Sequence, residues 1–285
     1  MGRGVVIAGL AALGLMAAGA APGWSQGLPP AVASSAKPVA APRDFIPGYL
    51  PKGAWPSSLA VLPPAPAAGS ATQARDEAEA KQARALKGSA RWDLAAEDAD
   101  LYFPAAADTY ACALGIRVSQ EGTPHLYTLL RRTLADAAIA TGQAKHKYQR
   151  PRPFMTSAGG AICTPKDEDS LRKDGSYPSG HSAIGWTWAL TLAAAAPDRQ
   201  DPILARGRTF LQSRVVCNVH WLSDTEAGAM VGSAVFARLQ DEAEFRTDLQ
   251  AAKAEIETAR AAGKAPTRDC AAEAAALASD PIDQP

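Results

Sequence analysis

Helix-forming segments with apolar residues at helical spacing occupy most of the chain after residue 70, and they leave little room for any other regular structure. One of them, "HLYTLLRRTLADAAIATGQAK", carries apolar or small residues on one face, at Leu126, Leu129, Leu130, Thr133, Leu134 and Ala137. Another, "SAIGWTWALTLAAAAP", stops at Pro197, and "DPILARGRTFLQSR" starts around Pro202. No alternating pattern of useful length predicts a β-strand. The sequence therefore predicts an all-α fold, an irregular bundle with helix contacts lined by Ala and Gly.

Length and charge limit the kind of protein further. A chain of 285 residues that is 47% hydrophobic and 20% charged can bury one sizeable core, so we expect one helical domain over residues 71–285. Lys plus Arg and Asp plus Glu both number 29, so no net charge attracts the chain to a nucleic-acid polymer or an anionic membrane. Any affinity for an anion must be local.

The first 70 residues are expected to lie outside the helical domain. Residues 1–20 combine Arg3, an apolar run and the small-residue pattern at 18–20, which predicts a cleaved signal peptide and a periplasmic location. A membrane anchor is the alternative, but the run is shorter than the roughly 20 residues of a spanning helix, so we expect no stable membrane insertion. Residues 21–70 are rich in Pro and Ala, which predicts an extended segment without regular helix.

Four cysteines, Cys112, Cys163, Cys217 and Cys270, would enter an oxidising compartment after export. They are expected to form two disulfides, with three pairings open. None of their spacings is typical of a zinc site.

A cationic motif follows the helix that begins near Leu126. This helix should end within "AKHKYQRPRPF", because Pro151 and Pro153 forbid its continuation. Lys145 falls on nearly the same face as Leu134 and should point inward, while Arg152 is held between two prolines. The alternative is a solvated basic turn.

A second motif lies in "GSYPSGHSAIGW". Ser179 is a favoured N-cap residue, so unpaired backbone N–H groups should converge near its hydroxyl and form an anion site. Gly180 would let a ligand approach the backbone closely, and His181 in the first turn could donate a proton to it. An ordinary capped helix start is the alternative reading.

The third motif, "SRVVCNVHWLSD", places His220 between Arg214 and Asp224. A histidine can act as a nucleophile only if one ring nitrogen is free while the other is held as N–H, and Asp224 is the candidate to hold it. Ser223 and Glu226 form a capping-box pattern, which predicts Asp224 in the first turn of the next helix. Taken alone, a histidine in such a stretch is more often a core or surface residue with its hydrogen bonds satisfied.

Together the three motifs resemble the signature of the type 2 phosphatidic acid phosphatase (PAP2) superfamily. Its positions are filled by Lys145 and Arg152-Pro153, by Pro178-Ser179-Gly180-His181, and by Ser213-Arg214, His220 and Asp224. The leader, "SLAVLPPAP" and the sequences around the motifs are similar to those of the bacterial class A non-specific acid phosphatases. A small departure is Ser182, where that family more often has Thr.

The resemblance implies a function and a role for each site residue. It implies an exported acid phosphatase of the PAP2/vanadium haloperoxidase fold, with His220 as the nucleophile that becomes a phosphohistidine and His181 as the proton donor to the leaving alcohol. Lys145, Arg152 and Arg214, with the N–H groups near Ser179 and Gly180, would bind the phosphoryl group. No metal and no cofactor are expected, and the partners are small-molecule phosphate monoesters.

Vanadate-dependent haloperoxidases, which hold vanadate with the same constellation, are the alternative function. The lipid phosphatases of the superfamily place the site between membrane spans, which this sequence lacks. The physiological substrate, phosphotransfer to alcohols, the pH optimum and the formation of a homo-oligomer are left open by the sequence.

Overall fold

Helices make up the regular structure of the described residues. The computed structural model describes residues 46–156 and 159–279, and in these ranges it contains helices and no β-strand. The α-helices in chain order are α1 (Ser58–Val61), α2 (Ala71–Arg84), α3 (Ala90–Glu97), α4 (Ala111–Leu114), α5 (Pro124–Ala140), α6 (Gly142–Tyr148), α7 (Glu168–Leu171), α8 (Gly180–Ala195), α9 (Gln200–Val216), α10 (Leu222–Leu239), α11 (Ala243–Ala261) and α12 (Cys270–Ala278). Short 3-10 turns lie at Ala105–Asp108, Pro153–Met155, Pro165–Asp167 and Pro197–Arg199. The prediction of an all-α fold is confirmed.

Local sequence signals explain where several helices begin. The Ser70 and Ser89 hydroxyls accept hydrogen bonds from backbone N–H groups in the first turns of α2 and α3. Ser179 does the same for α8, accepting from the Ser182 N–H at 3.2 Å, so its predicted N-cap position is confirmed. Pro124 occupies the first turn of α5, where the missing N–H costs nothing.

The helix predicted to run from Leu126 into the basic motif is in fact two helices, α5 and α6. They meet at Thr141, whose hydroxyl donates to the Ala138 carbonyl at 2.8 Å. Such back-bonding by Thr weakens the regular ladder, and Gly142 follows directly. The single-helix expectation was therefore wrong, and Lys145 lies on the short helix α6.

Helix α8 lies at the centre of the bundle, packed against α5, α9 and α10. Its contact with α10 is close because that face of α10 carries glycines. A Cβ added at Gly228 would lie 2.5 Å from the Ser179 carbonyl oxygen, and one at Gly232 would lie 2.6 Å from that of Ala183. The contact thus brings the beginning of α8 against the beginning of α10, where two of the sequence motifs lie.

The described part of the Pro/Ala-rich segment packs on the helices. Tyr49, Leu50 and Leu62 are buried in the main core. The expectation that this segment contains no helix was wrong at α1, a single turn in the proline-free stretch "SSLAVL". The Ser58 hydroxyl in α1 accepts the Ala144 N–H at 3.1 Å, so the turn is held against α6. Residues 1–45, with the leader and the start of this segment, lie outside the described residues.

Two disulfides cross-link the described residues, as expected from the four cysteines. Cys112 in α4 pairs with Cys270 at the start of α12, with 5.4 Å between their Cα atoms. Cys163 pairs with Cys217 at the end of α9, with 4.8 Å between Cα atoms. The structure thereby selects one of the three pairings that the sequence left open. Across residues 46–156 and 159–279, no helix combines the length and the apolar character needed to span a bilayer.

Candidate active site

The end of α9 and the start of α10 are joined by a tight turn that sets His220 close to Arg214. The backbone N–H of His220 donates to the Arg214 carbonyl at 3.2 Å, and that of Val219 donates to the same oxygen at 3.3 Å. Asn218 makes the turn with φ of 60°, a left-handed conformation that Asn tolerates better than most residues. Its side-chain amide donates to the Gly159 carbonyl at 3.1 Å. The residues between Arg214 and His220 therefore end α9 and form this turn, which explains the spacing of the two residues in the sequence.

His220 is buried, and its two ring nitrogens have different surroundings. Nε2 lies 3.1 Å from Nη1 of Arg152, which can only donate, so Nε2 accepts and carries no proton. The proton of the neutral ring is then on Nδ1, 3.5 Å from Oδ2 of Asp224. Burial, followed by the charges of Arg152, Lys145 and Arg214, holds the pKa of His220 well below its usual range. The ring is therefore neutral with a lone pair on Nε2.

Asp224 is fully buried at the third position of α10. Its Oδ2 accepts the Trp221 backbone N–H at 2.8 Å, and its Oδ1 accepts from Nη1 of Arg150 at 2.6 Å. Burial raises the pKa of this carboxyl, and the charge of Arg150 is the largest opposing influence. The predicted place of Asp224 in the first turn is confirmed. The prediction of a capping box between Ser223 and Glu226 was wrong. Trp221 is the N-cap residue of α10, and the Asp224 carboxylate accepts the backbone N–H of Trp221.

Three cationic side chains, Lys145, Arg152 and Arg214, act on His220, and the charges of Arg214 and Arg152 also act on His181. Lys145 Nζ donates to the Gly175 carbonyl at 2.6 Å and to Oδ2 of Asp174 at 2.9 Å. Arg152 donates through Nη2 to the same carboxylate oxygen at 3.1 Å. Arg214 is 2% exposed, and its Nε has no hydrogen-bond partner among the described residues. Burial and then the charge of Arg152 lower the pKa of Arg214 to about 10, still well above neutrality. This surplus of buried positive charge suits an anion.

The start of α8 adds backbone donors beside these cations. Ser179 accepts the Ser182 N–H, while the N–H groups of Gly180 and His181 precede the first intrahelical carbonyl partners. A Cβ added at Gly180 would lie 3.8 Å from Cε of Lys145, so the lysine stem passes directly over this helix start. Helix N-termini attract anions through these donors and through the helix dipole.

His181 is partly exposed, and its Nε2 lies 3.1 Å from the Ala99 carbonyl oxygen. A carbonyl only accepts, so Nε2 carries a proton and Nδ1 is the ring nitrogen left for a second partner. Burial and the charge of Arg214 hold the pKa of His181 well below its usual range, with smaller contributions from His220 and Arg152. A bound phosphate dianion would raise this pKa by offsetting the cations.

Sequence reasoning missed three charged residues at this site: Asp76, Arg150 and Asp174. Arg150 stands beside Arg152 in "QRPRP" but was given no role. Asp76 lies in α2 on the same face as the buried residues Ala80 and Ala83. An acidic residue at i, i+4, i+7 spacing with buried alanines was the available signal. In the part of the chain that the structure describes, no group of three or more His, Cys, Asp or Glu side chains could hold a metal ion.

Comparison with known proteins shows the family of this chain. The PAP2 superfamily profile matches residues 126–240, which include all eight predicted site residues. The chain is 44% identical over 208 residues to the acid phosphatase of Zymomonas mobilis, covering 73% of this chain and 78% of that protein. It is 43% identical over 209 residues to a non-specific acid phosphatase of Providencia stuartii, covering 73% and 84%, and 40% identical over 196 residues to one of Salmonella typhimurium, covering 68% and 78%. The chain therefore belongs to the PAP2 superfamily and, within it, to the non-specific acid phosphatases.

Proposed function

We propose that this protein hydrolyses small phosphate monoesters in two steps through a phosphohistidine at His220, without a metal ion. The observation that carries the proposal is the state of His220, a buried neutral imidazole whose unprotonated Nε2 lies beside the cations while Nδ1 faces Asp224. A neutral ring with one nitrogen free and the other protonated is what nucleophilic attack requires. The matched relatives reported above are each named acid phosphatases, which favours hydrolysis over the haloperoxidase alternative.

In the first step, Lys145, Arg152, Arg214 and the N–H groups at the start of α8 hold the phosphoryl oxygens. Nε2 of His220 attacks phosphorus, the bond to the ester oxygen breaks, and protonated His181 gives its Nδ1 proton to the leaving alkoxide. The proton on Nδ1 of His220 stays in place, where the Asp224 carboxylate stabilises the positive charge that the ring acquires. The cations stabilise the negative charge on the equatorial oxygens.

In the second step, water attacks phosphorus in line with the phosphorus–nitrogen bond. His181, now neutral, accepts a proton from this water. The phosphorus–nitrogen bond breaks, its electron pair returns to Nε2 of His220, and inorganic phosphate leaves. Both histidines are then ready for another cycle, and positive side chains supply the electrostatic stabilisation throughout.

Export to the periplasm is part of the proposal. The sequence of residues 1–20 has the charged, apolar and small-residue regions of a signal peptide, and four cysteines pair into two disulfides. Cell fractionation with a mass measurement of the mature chain tests export. The expected result is periplasmic protein that begins at Ala21, and a chain retaining Met1 in the cytoplasm would contradict it.

The catalytic proposal is tested with purified protein and p-nitrophenyl phosphate. Activity should persist in excess EDTA and fall with vanadate or inorganic phosphate, because these anions occupy the same cationic site. Enzyme mixed with labelled substrate and denatured under alkaline conditions, in which phosphohistidine survives, should carry label on His220. Loss of activity in EDTA with recovery on adding a divalent ion would overturn the metal-independent part. Oxidation of halide by peroxide with added vanadate, in a protein that hydrolyses no ester, would support the alternative function.

A further inference from the structure

We propose that Arg150 and Asp76 are positioning residues that act on His220 through Asp224, a role that rests on the nucleophilic function proposed for His220. Asp76 lies outside the three sequence motifs, and Arg150 lies within the first of them without being one of its signature positions. Arg150 lies just before Pro151, and Asp76 lies in α2, 74 residues away in sequence. The structure brings both against the carboxylate that faces the nucleophile.

The guanidinium of Arg150 lies between two carboxylates that are both fully buried. Nη1 donates to Oδ1 of Asp224 at 2.6 Å, and Nη2 donates to Oδ2 of Asp76 at 2.7 Å. Arg150 itself is 6% exposed, so water competes little for these bonds. A guanidinium that binds two buried carboxylates has one preferred position, and it holds both carboxylates in a fixed orientation.

Serine and backbone donors also bind within this cluster, and Gln73 Oε1 accepts from Nη2 of Arg150 at 2.6 Å. Ser223 donates through its N–H to Oδ1 of Asp76 at 2.8 Å and through its hydroxyl to Oδ2 at 2.6 Å. Its hydroxyl oxygen also accepts from Nη1 of Arg150 at 2.8 Å. Because Ser223 directly precedes Asp224 in α10, Asp76 holds the backbone of this helix start as well as the guanidinium.

The arrangement determines what each oxygen of Asp224 can do. Oδ1 is taken by Arg150, so Oδ2 is the oxygen left to face Nδ1 of His220, while it also accepts the Trp221 N–H. The positive charge of Arg150 opposes the burial that raises the pKa of Asp224. Without that charge, Asp224 would protonate at higher pH and would no longer stabilise a charged ring at His220. Further titratable groups that face Asp224 are Lys145, Arg152 and Tyr177.

The test compares Arg150→Gln, Arg150→Lys and Asp76→Asn with the unmodified protein, using kcat and KM for p-nitrophenyl phosphate across pH. Active sites are counted from the p-nitrophenol burst. Arg150→Gln should lower kcat per active site by about tenfold to a hundredfold, by analogy with the groups that orient metal-ligating histidines. KM should stay unchanged, because neither residue touches the cations that hold phosphate. The acid limb of the pH profile of kcat should move to higher pH, because Asp224 then becomes protonated at a higher pH.

The other two variants give a signature that a structural role does not produce. Arg150→Lys keeps the charge, so the acid limb should return toward its original position although kcat stays reduced. Asp76→Asn removes a negative charge near Asp224 while loosening Arg150, so kcat should fall while the acid limb moves to lower pH. Opposite shifts of the acid limb in Arg150→Gln and Asp76→Asn follow from the opposite charges that the two substitutions remove, and unfolding would not produce them.

Asp136→Asn is the matched control, because Asp136 is a fully buried carboxylate in α5 that holds the Tyr49 and Leu50 N–H groups. It should lower the melting temperature without moving the acid limb. The proposal is overturned if Arg150→Gln retains both the original kcat per active site and the original position of the acid limb. If Arg150→Gln does not fold, the same result in Arg150→Lys and Asp76→Asn overturns it. Unmodified protein that carries no label on His220 contradicts the proposed function instead, so the two failures are distinguishable.

Discussion

The two histidines of the site differ in which ring nitrogen the protein leaves for the substrate. In His220 the free nitrogen is Nε2, because Arg152 can only donate to it. In His181 the free nitrogen is Nδ1, because the Ala99 carbonyl can only accept from Nε2. His220 thus offers the lone pair of a neutral ring, whereas His181 offers a proton at Nδ1 only when its ring is protonated. Their roles should therefore separate when the leaving group is varied.

Replacing each histidine by Ala tests this separation. His220→Ala should lose turnover on every phosphate ester, because no covalent intermediate can form. His181→Ala removes a proton donor worth about a hundred- to ten-thousand-fold for poor leaving groups, and much less for p-nitrophenol. Its kcat/KM, which reports the first step, should therefore fall further on an alkyl phosphate than on p-nitrophenyl phosphate. In the unmodified protein, the depressed pKa of His181 predicts that the alkyl-to-aryl rate ratio falls as pH rises.

Equal losses on both substrates in His181→Ala, or label recovered on His181, would show that the two roles are assigned wrongly. Stopped-flow measurement of p-nitrophenol release provides the control, because the burst reports the first step alone. His181→Ala should retain a burst, whereas His220→Ala should show none.

Asp174 shares hydrogen-bond donors with the expected phosphate. Its side chain is 51% exposed, and one oxygen accepts from both Lys145 Nζ and Arg152 Nη2. A carboxylate in this place competes with a bound anion for the same charges. Asp174→Asn keeps an acceptor without the charge, so the inhibition constants of inorganic phosphate and vanadate should fall by about 1.4-fold to fivefold, the range of exposed ion pairs.

Asp169→Asn is the control for Asp174→Asn, because Asp169 is an exposed carboxylate in the neighbouring helix α7. It changes the net charge equally and should leave the inhibition constants almost unchanged. A rise in the inhibition constant of phosphate in Asp174→Asn would mean that this carboxylate orients the cations instead of competing with phosphate.

At the level of helices, the contact between α8 and α10 fixes the relative positions of the phosphate-binding and nucleophile-bearing motifs. The Ser179 N–H donates to the Asp224 carbonyl at 2.9 Å, which ties the two helix starts together. Gly228 allows this close approach, since its Cα faces the Ser179 carbonyl. The small residue is therefore part of the site's geometry although it cannot touch the substrate through a side chain.

Gly228→Ala should separate these helix starts. The new Cβ would lie 2.5 Å from the Ser179 carbonyl oxygen and 2.7 Å from Cβ of Ser182, so α8 must move. Overpacking of this kind costs about 1–3 kcal/mol in the free energy of unfolding. Thermal or urea denaturation should show this loss, and kcat/KM should fall with it. Gly142→Ala, where an added Cβ meets nothing within 4 Å, should leave both almost unchanged or stabilise the helix slightly. A Gly228→Ala protein with unaltered stability and activity would contradict this account.

At the level of the whole molecule, the disulfides hold distant parts of the chain together in different ways. Cys112–Cys270 spans 158 residues and fixes the terminal helix α12. Glu273 of α12 is buried and forms ion pairs with Arg206 and Arg268. Cys163–Cys217 spans 54 residues and ends three residues before His220. In sequence, the first is therefore remote from the turn that carries the nucleophile, and the second is next to it.

Removing each disulfide by paired Cys→Ala substitutions should separate stability from catalysis. Loss of either bond should lower the free energy of unfolding by about 2–5 kcal/mol. Cys112→Ala with Cys270→Ala should leave kcat almost unchanged at temperatures where the protein stays folded. Cys163→Ala with Cys217→Ala should also lower kcat, because the turn at Asn218 loses one of its constraints. Equal kcat in both double variants would show that the second bond contributes to stability only.

The sequence alone determined the features that depend on nearby residues. Helical spacing of apolar side chains predicted the all-α fold, Ser179 was recognised as a helix N-cap, and the spacings within each motif marked the eight candidate site residues. Family membership follows from the same local patterns. These features could be predicted because capping, helical periodicity and the turn from Arg214 to His220 each involve residues only a few positions apart.

The tertiary structure decided which side chains meet. The disulfide pairing, the contact of Arg152 with Nε2 of His220 and the cluster around Arg150 join residues separated by 54 to 158 positions. Local propensity cannot predict such contacts, because their formation depends on how whole helices pack. The same applies to the helix break at Thr141 and to the helical turn α1. In both places a short segment adopts the structure that its packing contacts favour, and not the one that its own sequence pattern predicts. A surface-looking Asp76 thus became a buried partner of Arg150 only when α2 packed against the start of α10.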